Sequence, residues 1–328
     1  MKRITSILVV ACLLCTAGCN VAEILGAKDG YLFSSYDTIV PPGKEAQVRV
    51  RLQSGDFLKD ERGYVVHFMR DGKLYKVAQT DRDGAASIAF TPDKPGDYVF
   101  TAQLQPKGFK HEPPAGVEVL VSCRQKDAPI LIVDLDKTLV AGGFGQVLTG
   151  SPPPMELSVE VMDRLSKDYV IVYLTQRPDA MGPKSKAWLK EHKYPRAPLL
   201  LAETGKLLAG NEKYKSKAIK NVAQEFGNIQ IGIGDKRTDA IAYRQNGLKT
   251  YLISYVGPAT PPDDIREMIE DLQKLSPEVA GQVQAVLNWR QVADGIYDNK
   301  RFTVEDAVKG LRMRLNERST SVADRQGS

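Results

Sequence analysis

The sequence has few of the residues that carry several common kinds of protein chemistry. It contains only 4 cysteines and 3 histidines in 328 residues, and none stands at a spacing typical of zinc sites. It has no glycine-rich dinucleotide loop, and His192 has no serine partner in a triad-like pattern. The net charge of +5 is too small and too scattered to indicate a protein that binds nucleic acid.

The longest apolar run near the N-terminus is too short for a permanent membrane-spanning helix. Residues 4–15 are mostly apolar and follow the basic pair Lys2 and Arg3. About 20 apolar residues are needed to cross a bilayer, whereas a short run behind basic residues is typical of a secretory signal peptide. The start of the chain therefore predicts export, and the remaining sequence is long enough for two domains.

The segment "TAGC", which ends at Cys19, resembles the lipobox of bacterial lipoproteins. The resemblance implies a signal peptide over residues 1–18, a lipid on Cys19 and a tether over residues 19–28. Asn20 favours the periplasmic face of the outer membrane, in the bacterial cell envelope. An ordinary signal peptide that is cleaved nearby is the alternative. In the lipoprotein interpretation Cys123 has no intramolecular partner, so we expect no disulfide framework.

Residues 29–123 show the pattern of an all-β domain. Polar and apolar residues alternate in "EAQVRVRL", and Asp71 and Gly72 are typical of a tight hairpin turn. Short strands separated by proline and glycine predict a β-sandwich. The stretch "PGDYVFTAQL" looks like a late strand of bacterial immunoglobulin-like modules. A protein partner for this sandwich is expected, but the sequence does not indicate which one.

The rest of the chain changes to alternating strands and helices. A polar hinge, residues 124–129, leads into a region over residues 126–256 in which aliphatic strands alternate with amphipathic helices. This pattern predicts a doubly wound α/β fold with a parallel sheet covered on both faces. Apolar residues at helical spacing predict a helical extension over residues 257–316. The polar residues 317–328 predict a disordered tail.

Acidic and hydroxyl residues stand where the apolar strands of this α/β region end. Asp134 and Asp136 follow "ILIV", Thr175 ends "YVIVYLT", and Asp235 ends "NIQIGIGD", with Asp239 four residues further. Ligands of open parallel sheets bind outside the carboxyl ends of the strands. We therefore expect these side chains to meet in one crevice.

The order of these residues resembles the motifs of the haloacid dehalogenase (HAD) superfamily of phosphotransferases. "DLDKT" is similar to its first motif, Thr175 to its second, and "GDKRTD" to its fourth. Lys215 suits the third motif, although Lys213 and Lys217 are alternatives. Within the superfamily, "YLTQRPDAMGPKSKAWLKEHKYPRAPLLLAE" looks like the catalytic domain of lipin-type phosphatidate phosphatases and the related domain of phosphatidylinositol-transfer proteins.

Two positions depart from the lipin-like pattern. Lys137 stands where glycine is usual, and Asp235 stands where lipin-like sequences have asparagine. The aspartate keeps an oxygen that can bind a metal, so it does not weaken the prediction of phosphatase chemistry. It does loosen the inference that the substrate is phosphatidate.

The resemblance implies a catalytic role for each motif residue. Asp134 would attack phosphorus and form an aspartyl-phosphate. Asp136 would protonate the leaving alkoxide and then activate water. Thr175 and Lys215 would bind the oxygens of the phosphoryl group.

The reaction also needs a cation, because an anionic carboxylate attacks an anionic phosphate. Oxygen ligands from Asp134, Asp235 and Asp239, with a backbone carbonyl near Asp136, suit Mg²⁺. Mg²⁺ is therefore the expected cofactor.

The intervals between the motifs leave no room for a large cap domain. Residues 139–155 form a short loop rich in glycine and proline, and residues 175–215 hold one helix and one strand. An open crevice favours a large substrate, so our leading hypothesis is a phosphatase that acts on a phosphatidate-like phospholipid at the membrane to which Cys19 anchors it. The alternatives are a phospholipid-binding module without catalysis, and a phosphatase of soluble or protein-bound phosphate. An adhesion protein built on the β-sandwich would leave the acidic crevice unexplained.

Overall fold

The computed structural model describes residues 25, 27, 29–55, 57–143, 146–147, 150–203, 210–258 and 260–326. The predicted signal peptide and Cys19 lie outside the described residues. Within this part of the chain, no helix has both the length and the apolar character that a membrane crossing requires.

The N-terminal region consists of nine strands in the described residues. They are β1 (Tyr31–Tyr36), β2 (Thr38–Val40), β3 (Ala46–Ser54), β4 (Lys59–Asp60), β5 (Val65–Arg70), β6 (Lys73–Gln79), β7 (Ala85–Phe90), β8 (Gly96–Leu104) and β9 (Val117–Cys123). One sheet has the order β1-β3-β4 with β7 paired to β3, and the other has the order β2-β9-β8-β5-β6. Both sheets contribute to one apolar core, whereas the immunoglobulin-like character of this region stays a prediction.

Local patterns in this region fold as the sequence predicts. Val48, Val50 and Leu52 of β3 are fully buried on one face of the strand. The β5–β6 hairpin turns at Asp71 and Gly72, whose φ angles are 51° and 74°. Positive φ at both central residues is typical of a type I′ turn, which matches the twist of the two strands. The predicted hairpin is confirmed.

The remaining chain alternates helices and strands. The elements are β10 (Ile130–Val133), α1 (Ser158–Asp168), β11 (Val170–Pro178), a 3₁₀ turn (Asp179–Met181), α2 (Gly182–Glu191), β12 (Leu199–Ala202), α3 (Asn211–Ala223), β13 (Ile229–Gly234), α4 (Arg237–Gln245), β14 (Lys249–Ile253), α5 (Pro262–Gln273), α6 (Pro277–Gln282), β15 (Val283–Val286), α7 (Trp289–Tyr297) and α8 (Val304–Gln326).

A six-stranded sheet forms the centre of this α/β region. Its order is β12-β11-β10-β13-β14-β15, and β10 pairs in parallel with both β11 and β13. All four residues of β10 are fully buried, as the predicted parallel sheet requires. The chain adds strands on one side of β10 and then on the other, so the topological switch point lies beside this strand.

Long-range contacts divide the chain differently from the boundary that the sequence predicts. The first compact unit contains the β-sandwich together with residues 177–191 and 198–203. The second unit contains residues 126–176, 192–197 and 210–326. Within the first unit, the hydroxyl of Tyr36 donates to Asp179 Oδ2 at 2.6 Å. Polar pairs so far apart in sequence leave no periodic signal, which explains why the sequence analysis assigned these residues to the α/β region alone.

The C-terminal region contains more than the predicted helical extension. Val283–Val286 forms β15, which pairs in parallel with β14. The four residues of this strand, "VQAV", are too few for periodicity to separate a strand from a helix. The last helix, α8, continues to Gln326, through the predicted disordered tail. The Arg314 and Arg318 side chains of this helix donate to backbone carbonyls at Val256, Gly257 and Thr260.

Candidate functional site

Asp134 lies directly after β10 at the switch point of the sheet. Its backbone amide donates to the carbonyl of Ile233 in β13 at 2.9 Å, so the hydrogen bonding between the two strands continues through this residue. The residue is only 3 % exposed. A carboxylate in such a position must be compensated by other groups, because burying an unpaired charge is costly.

Asp235 and Asp239 also lie close to Asp134. Asp235 directly follows β13, and Asp239 is four residues further along the chain. Asp239 lies in the first turn of α4, where its Oδ2 accepts from the backbone amide of Lys236 at 3.3 Å. A negative side chain is favourable at this end of a helix. A Cβ atom on Gly234 would lie 2.6 Å from Asp239 Oδ2. Glycine at this position therefore lets α4 pack closely against the strand that carries Asp235.

Lys215 is the lysine that joins the carboxylates. Its Nζ lies 3.1 Å from Asp134 Oδ1 and 2.8 Å from Asp239 Oδ1, and the residue is 1 % exposed. Lys213 and Lys217 lie on the same helix, α3, but both are exposed. The structure thus brings Lys215, and neither neighbouring lysine, into contact with the acidic cluster.

Asn211 is a site residue that the sequence analysis missed. This residue begins α3, and its Nδ2 donates to Asp239 Oδ1 at 2.7 Å and to Thr238 Oγ1 at 2.9 Å. The first bond engages Oδ1 of Asp239, whereas the backbone amide of Lys236 engages its Oδ2. Nothing in the spacing of Asn211 marks it, because it becomes a neighbour of Asp239 only when α3 and α4 pack together.

Three carboxylates form a group that fits a metal ion. Asp134, Asp235 and Asp239 each offer an oxygen within 4.8 Å of the other two. Oδ1 of Asp235 is buried and accepts no hydrogen bond from the residues that the structure describes. Hard oxygen donors of this kind suit Mg²⁺. The Asp136 carboxylate is not part of this group, and the sequence analysis gave that position a backbone carbonyl as its metal ligand.

The close approach of these charges shifts their pKa values. Burial, with Asp239 and Asp134 nearby, raises the pKa of Asp235 to about 7, although Lys236 opposes the shift. Burial also raises the pKa of Asp134, and Lys215 opposes that shift. For Asp239, burial is outweighed by Lys215 and Lys236, so its pKa falls below the ordinary value.

Lys215 stays protonated despite its burial. Burial alone would lower its pKa, but Asp134 and Asp239 raise the pKa above the ordinary value for lysine. A buried ammonium between two carboxylates is thus a permanent positive charge at this site.

Asp136 and Thr175 lie on the chain segments that border the cluster. Asp136 is 8 % exposed and Thr175 is 1 % exposed. Val133 of β10 pairs with Tyr173 of β11, so Thr175 lies on the adjacent strand at the level of Leu135. Parallel strands are about 4.8 Å apart, which places Thr175 beside the segment between the two aspartates. The strand β11 continues to Pro178, so Thr175 lies inside the strand rather than at its predicted end.

Arg177, on β11, is a buried cation in addition to Lys215. It is 2 % exposed, and its guanidinium donates to Ser185 Oγ of α2 at 2.8 Å. Arg177 is not among the site residues that the sequence predicts. Its bond to Ser185 shows a structural contact between the end of β11 and the following helix.

Comparison with known proteins links the α/β region to one domain family. The family model for the LNS2 domain of PITM 1–3 matches residues 131–257, which is less than half of the chain. All the acidic residues described above, together with Thr175 and Lys215, lie within this match. A search of the curated proteins finds no match.

Several solved structures are similar to parts of the chain. A D,D-heptose 1.7-bisphosphate phosphatase from B. bronchiseptica, solved with magnesium and phosphate, is 15 % identical with a TM-score of 0.39, over 52 % of this chain and 99 % of that one. The Pnkp1/Rnl/Hen1 RNA repair complex is 15 % identical with a TM-score of 0.35, over 39 % of this chain and 43 % of that one.

The D00-D0 domain of intimin is 16 % identical with a TM-score of 0.24, and the match covers 30 % of this chain and 51 % of that one. TM-scores below 0.5 do not establish a common fold for any of these pairs.

Proposed function

We propose that the α/β region hydrolyses phosphomonoesters with the help of Mg²⁺ and through an aspartyl-phosphate on Asp134. The observation that carries this proposal is the position of Lys215, whose ammonium contacts both Asp134 and Asp239 inside a cluster of three carboxylates. The match of residues 131–257 to the LNS2 domain supports the proposal independently.

The first half of the reaction uses the two aspartates that follow β10. An Asp134 oxygen forms a bond to phosphorus while the bond from phosphorus to the alkoxide oxygen breaks. The Asp136 carboxyl gives its proton to that alkoxide, so the leaving group departs as an alcohol. The Lys215 ammonium favours the carboxylate form of Asp134 and so opposes the effect of burial on its pKa.

The second half returns the site to its starting state. Asp136, now a carboxylate, takes a proton from water as the water oxygen bonds to phosphorus. The bond from phosphorus to Asp134 then breaks and releases inorganic phosphate. Thr175 donates a hydrogen bond to a phosphoryl oxygen, and Lys215 supplies positive charge near the same group.

Asp134, Asp235 and Asp239 are the residues that would hold Mg²⁺, with a backbone carbonyl near Asp136. When bound, the ion neutralises the charge that otherwise repels an anionic phosphate from an anionic nucleophile. The unpaired Oδ1 of Asp235 is available for this role without the loss of a hydrogen bond to a described residue.

The substrate that we propose is a phosphatidate-like phospholipid of the bacterial envelope. The intervals between the motifs are too short in sequence for a large cap domain, which favours a large substrate, and a lipid on Cys19 would hold the protein at the periplasmic face of the outer membrane. The lipid anchor, the location and a protein partner for the β-sandwich are parts of this proposal that rest on the sequence.

A panel of phosphate esters tests the proposed activity. Phosphate release is measured from phosphatidate vesicles, a phosphoserine peptide and p-nitrophenyl phosphate, with Mg²⁺ or with EDTA. We expect release by the wild type with Mg²⁺ alone, fastest on the vesicles, and a loss of at least about 10³-fold in Asp134→Asn. Asp163→Asn, the same change at an exposed residue of α1, serves as the matched control and keeps full activity.

Two outcomes of this panel would contradict the proposal. Equal phosphate release by the wild type and Asp134→Asn would show that Asp134 is not the nucleophile and would contradict the mechanism. Sedimentation with phosphatidate vesicles that leaves the lipid unchanged would instead indicate the binding module.

A further inference from the structure

The chain between Asp136 and Val140 makes a tight turn next to the nucleophile. The backbone amides of Thr138, Leu139 and Val140 all converge on the carbonyl of Leu135, at 3.2, 2.9 and 3.0 Å. We call residues 135–140 the catalytic turn. Its first residue, Leu135, lies between the two aspartates of the first motif, and its second is Asp136, so movement of this turn would move Asp136.

A tryptophan from the C-terminal region holds the catalytic turn. The indole Nε1 of Trp289 donates to the carbonyl of Thr138 at 2.8 Å. Trp289 is fully buried, as is Thr138. A buried carbonyl that loses its donor costs about 1–3 kcal/mol, so this bond ties the turn firmly to α7.

The position of Trp289 is itself fixed by local structure. This residue begins α7, immediately after the edge strand β15 and the N-cap residue Asn288. The Asn288 side chain accepts from the amide of Gln291 at 3.0 Å, which defines the start of the helix. Trp289 thus reaches the catalytic turn from a rigid junction, and it lies outside residues 131–257, the part matched by the LNS2 family.

A second contact from the same region is weaker. Lys137 Nζ lies 3.5 Å from Asp264 Oδ2 of α5, and the two side chains are 37 % and 40 % exposed. Ion pairs this exposed contribute about 0–1 kcal/mol. The buried indole is therefore the contact from the C-terminal region that can fix the turn.

We infer that Trp289 is a positioning residue for phosphoryl transfer, and this inference rests on the proposed function. The indole keeps the backbone after Asp136 in place, so that the Asp136 carboxylate and the carbonyl beside it stay at the end of β10. Small displacements of a catalytic group are expensive, since a shift of about 1 Å can cost about 10²-fold in rate. One residue of the C-terminal region then positions the catalytic site.

Two variants on the same helix test this role. Trp289→Phe removes the indole donor and keeps an aromatic ring. Tyr297→Phe removes the hydroxyl that donates to Asp168 Oδ2 at 2.9 Å from the other end of α7. Each variant loses one hydrogen bond that docks α7, but only the first bond reaches the catalytic turn.

The measurements are kcat and KM on p-nitrophenyl phosphate, and Mg²⁺ affinity by calorimetry, both on folded protein well below its melting temperature. We expect Trp289→Phe to lower kcat by about 10-fold or more with KM changed less than about twofold, and to weaken Mg²⁺ binding. Tyr297→Phe keeps kcat and Mg²⁺ affinity. Equal kcat values in the two variants, with only the melting temperature lowered, would show a purely structural role and overturn the inference.

Failure of the proposed function gives a different result from failure of this inference. The proposed function fails if the wild type and Asp134→Asn release phosphate at the same rate. In that case the Mg²⁺ affinity alone tests the positioning role. Weaker Mg²⁺ binding by Trp289→Phe than by Tyr297→Phe supports this role, and equal Mg²⁺ binding overturns it.

Discussion

At the scale of single residues, the site depends on one lysine between two buried carboxylates. Lys215 contacts both Asp134 and Asp239 and is almost completely buried. Removing one member of a buried ion pair leaves its partner charged and uncompensated, which costs about 3–5 kcal/mol. Lys215 therefore has two effects. It stabilises the fold of the Mg²⁺-free protein, and it stabilises the charge on the Asp134 nucleophile.

We expect Lys215→Met to lower the free energy of unfolding without Mg²⁺ by about 3 kcal/mol. Lys217→Met changes an exposed lysine of the same helix and is expected to change stability by less than about 0.5 kcal/mol. Urea unfolding in EDTA measures both values. Similar stabilities of the two variants would contradict the charge arrangement described here.

Lys137 gives a second prediction at the residue scale, because its φ angle of 55° is left-handed. This backbone conformation costs about 1–2 kcal/mol for residues other than glycine. Glycine loses more conformational entropy on folding than other residues do, and this loss costs about 0.5–1 kcal/mol of stability relative to alanine. We expect Lys137→Gly to raise the free energy of unfolding by up to about 1 kcal/mol, because the loss of the exposed ion pair with Asp264 offsets part of the relief of strain. Urea unfolding measures this change, and a decrease of about 1 kcal/mol would contradict the strain.

At the scale of helices and strands, the close packing of α4 against β13 requires glycine at position 234. A Cβ atom there would lie 2.6 Å from Asp239 Oδ2, a distance that forces the carboxylate or the helix to move. We expect Gly234→Ala to destabilise the protein by about 1–3 kcal/mol and to weaken Mg²⁺ binding, as calorimetry would measure.

Gly227→Ala is the matched control for that change, since a Cβ atom at Gly227 meets no atom within 4 Å. Its Mg²⁺ affinity should equal that of the wild type. Equal affinities in all three proteins would show that Asp239 does not depend on this packing.

The same scale shows how much of the fold the sequence could predict. β10 and the hairpin at Asp71 were predictable because burial on both faces and turn chemistry leave local patterns. β15 was not predictable, because its four residues, "VQAV", are too few to separate a strand from a helix. The grouping of the acidic residues at the strand ends was predictable because the carboxyl ends of parallel strands meet at one edge of the sheet. Asn211 and Trp289 were not, since each meets its partner only through tertiary packing.

At the scale of the whole molecule, the N-terminal unit contains a segment that follows β11 in the chain. Asp37 accepts from Lys186 Nζ at 2.5 Å, from the amide of Leu120 at 2.9 Å and from the amide of Leu199 at 3.1 Å. Its side chain is 4 % exposed. One buried carboxylate thus joins the sandwich strand β9 to α2 and to the start of β12.

We expect Asp37→Asn to destabilise this unit by about 1–3 kcal/mol, because it removes the negative charge that accepts from Lys186 and from the amides of Leu120 and Leu199. Amide exchange of residues 198–203 should then speed up together with that of β9. Asp97→Asn, at a more exposed aspartate of the same unit, is the control. Faster exchange in residues 198–203 alone would contradict a single cooperative unit.

The central claim is that Asp134 becomes phosphorylated, and mass spectrometry of an Asp136→Asn variant tests it most directly. The variant is incubated with p-nitrophenyl phosphate, whose p-nitrophenolate leaving group departs without needing a proton. Because the variant lacks the base that activates water, the phosphorylated protein should accumulate and persist after an acid quench. We expect one added phosphoryl group, located on Asp134 and absent when Asp134→Asn is combined with Asp136→Asn. A phosphoryl group on another residue, or none while the wild type releases phosphate, would contradict the account.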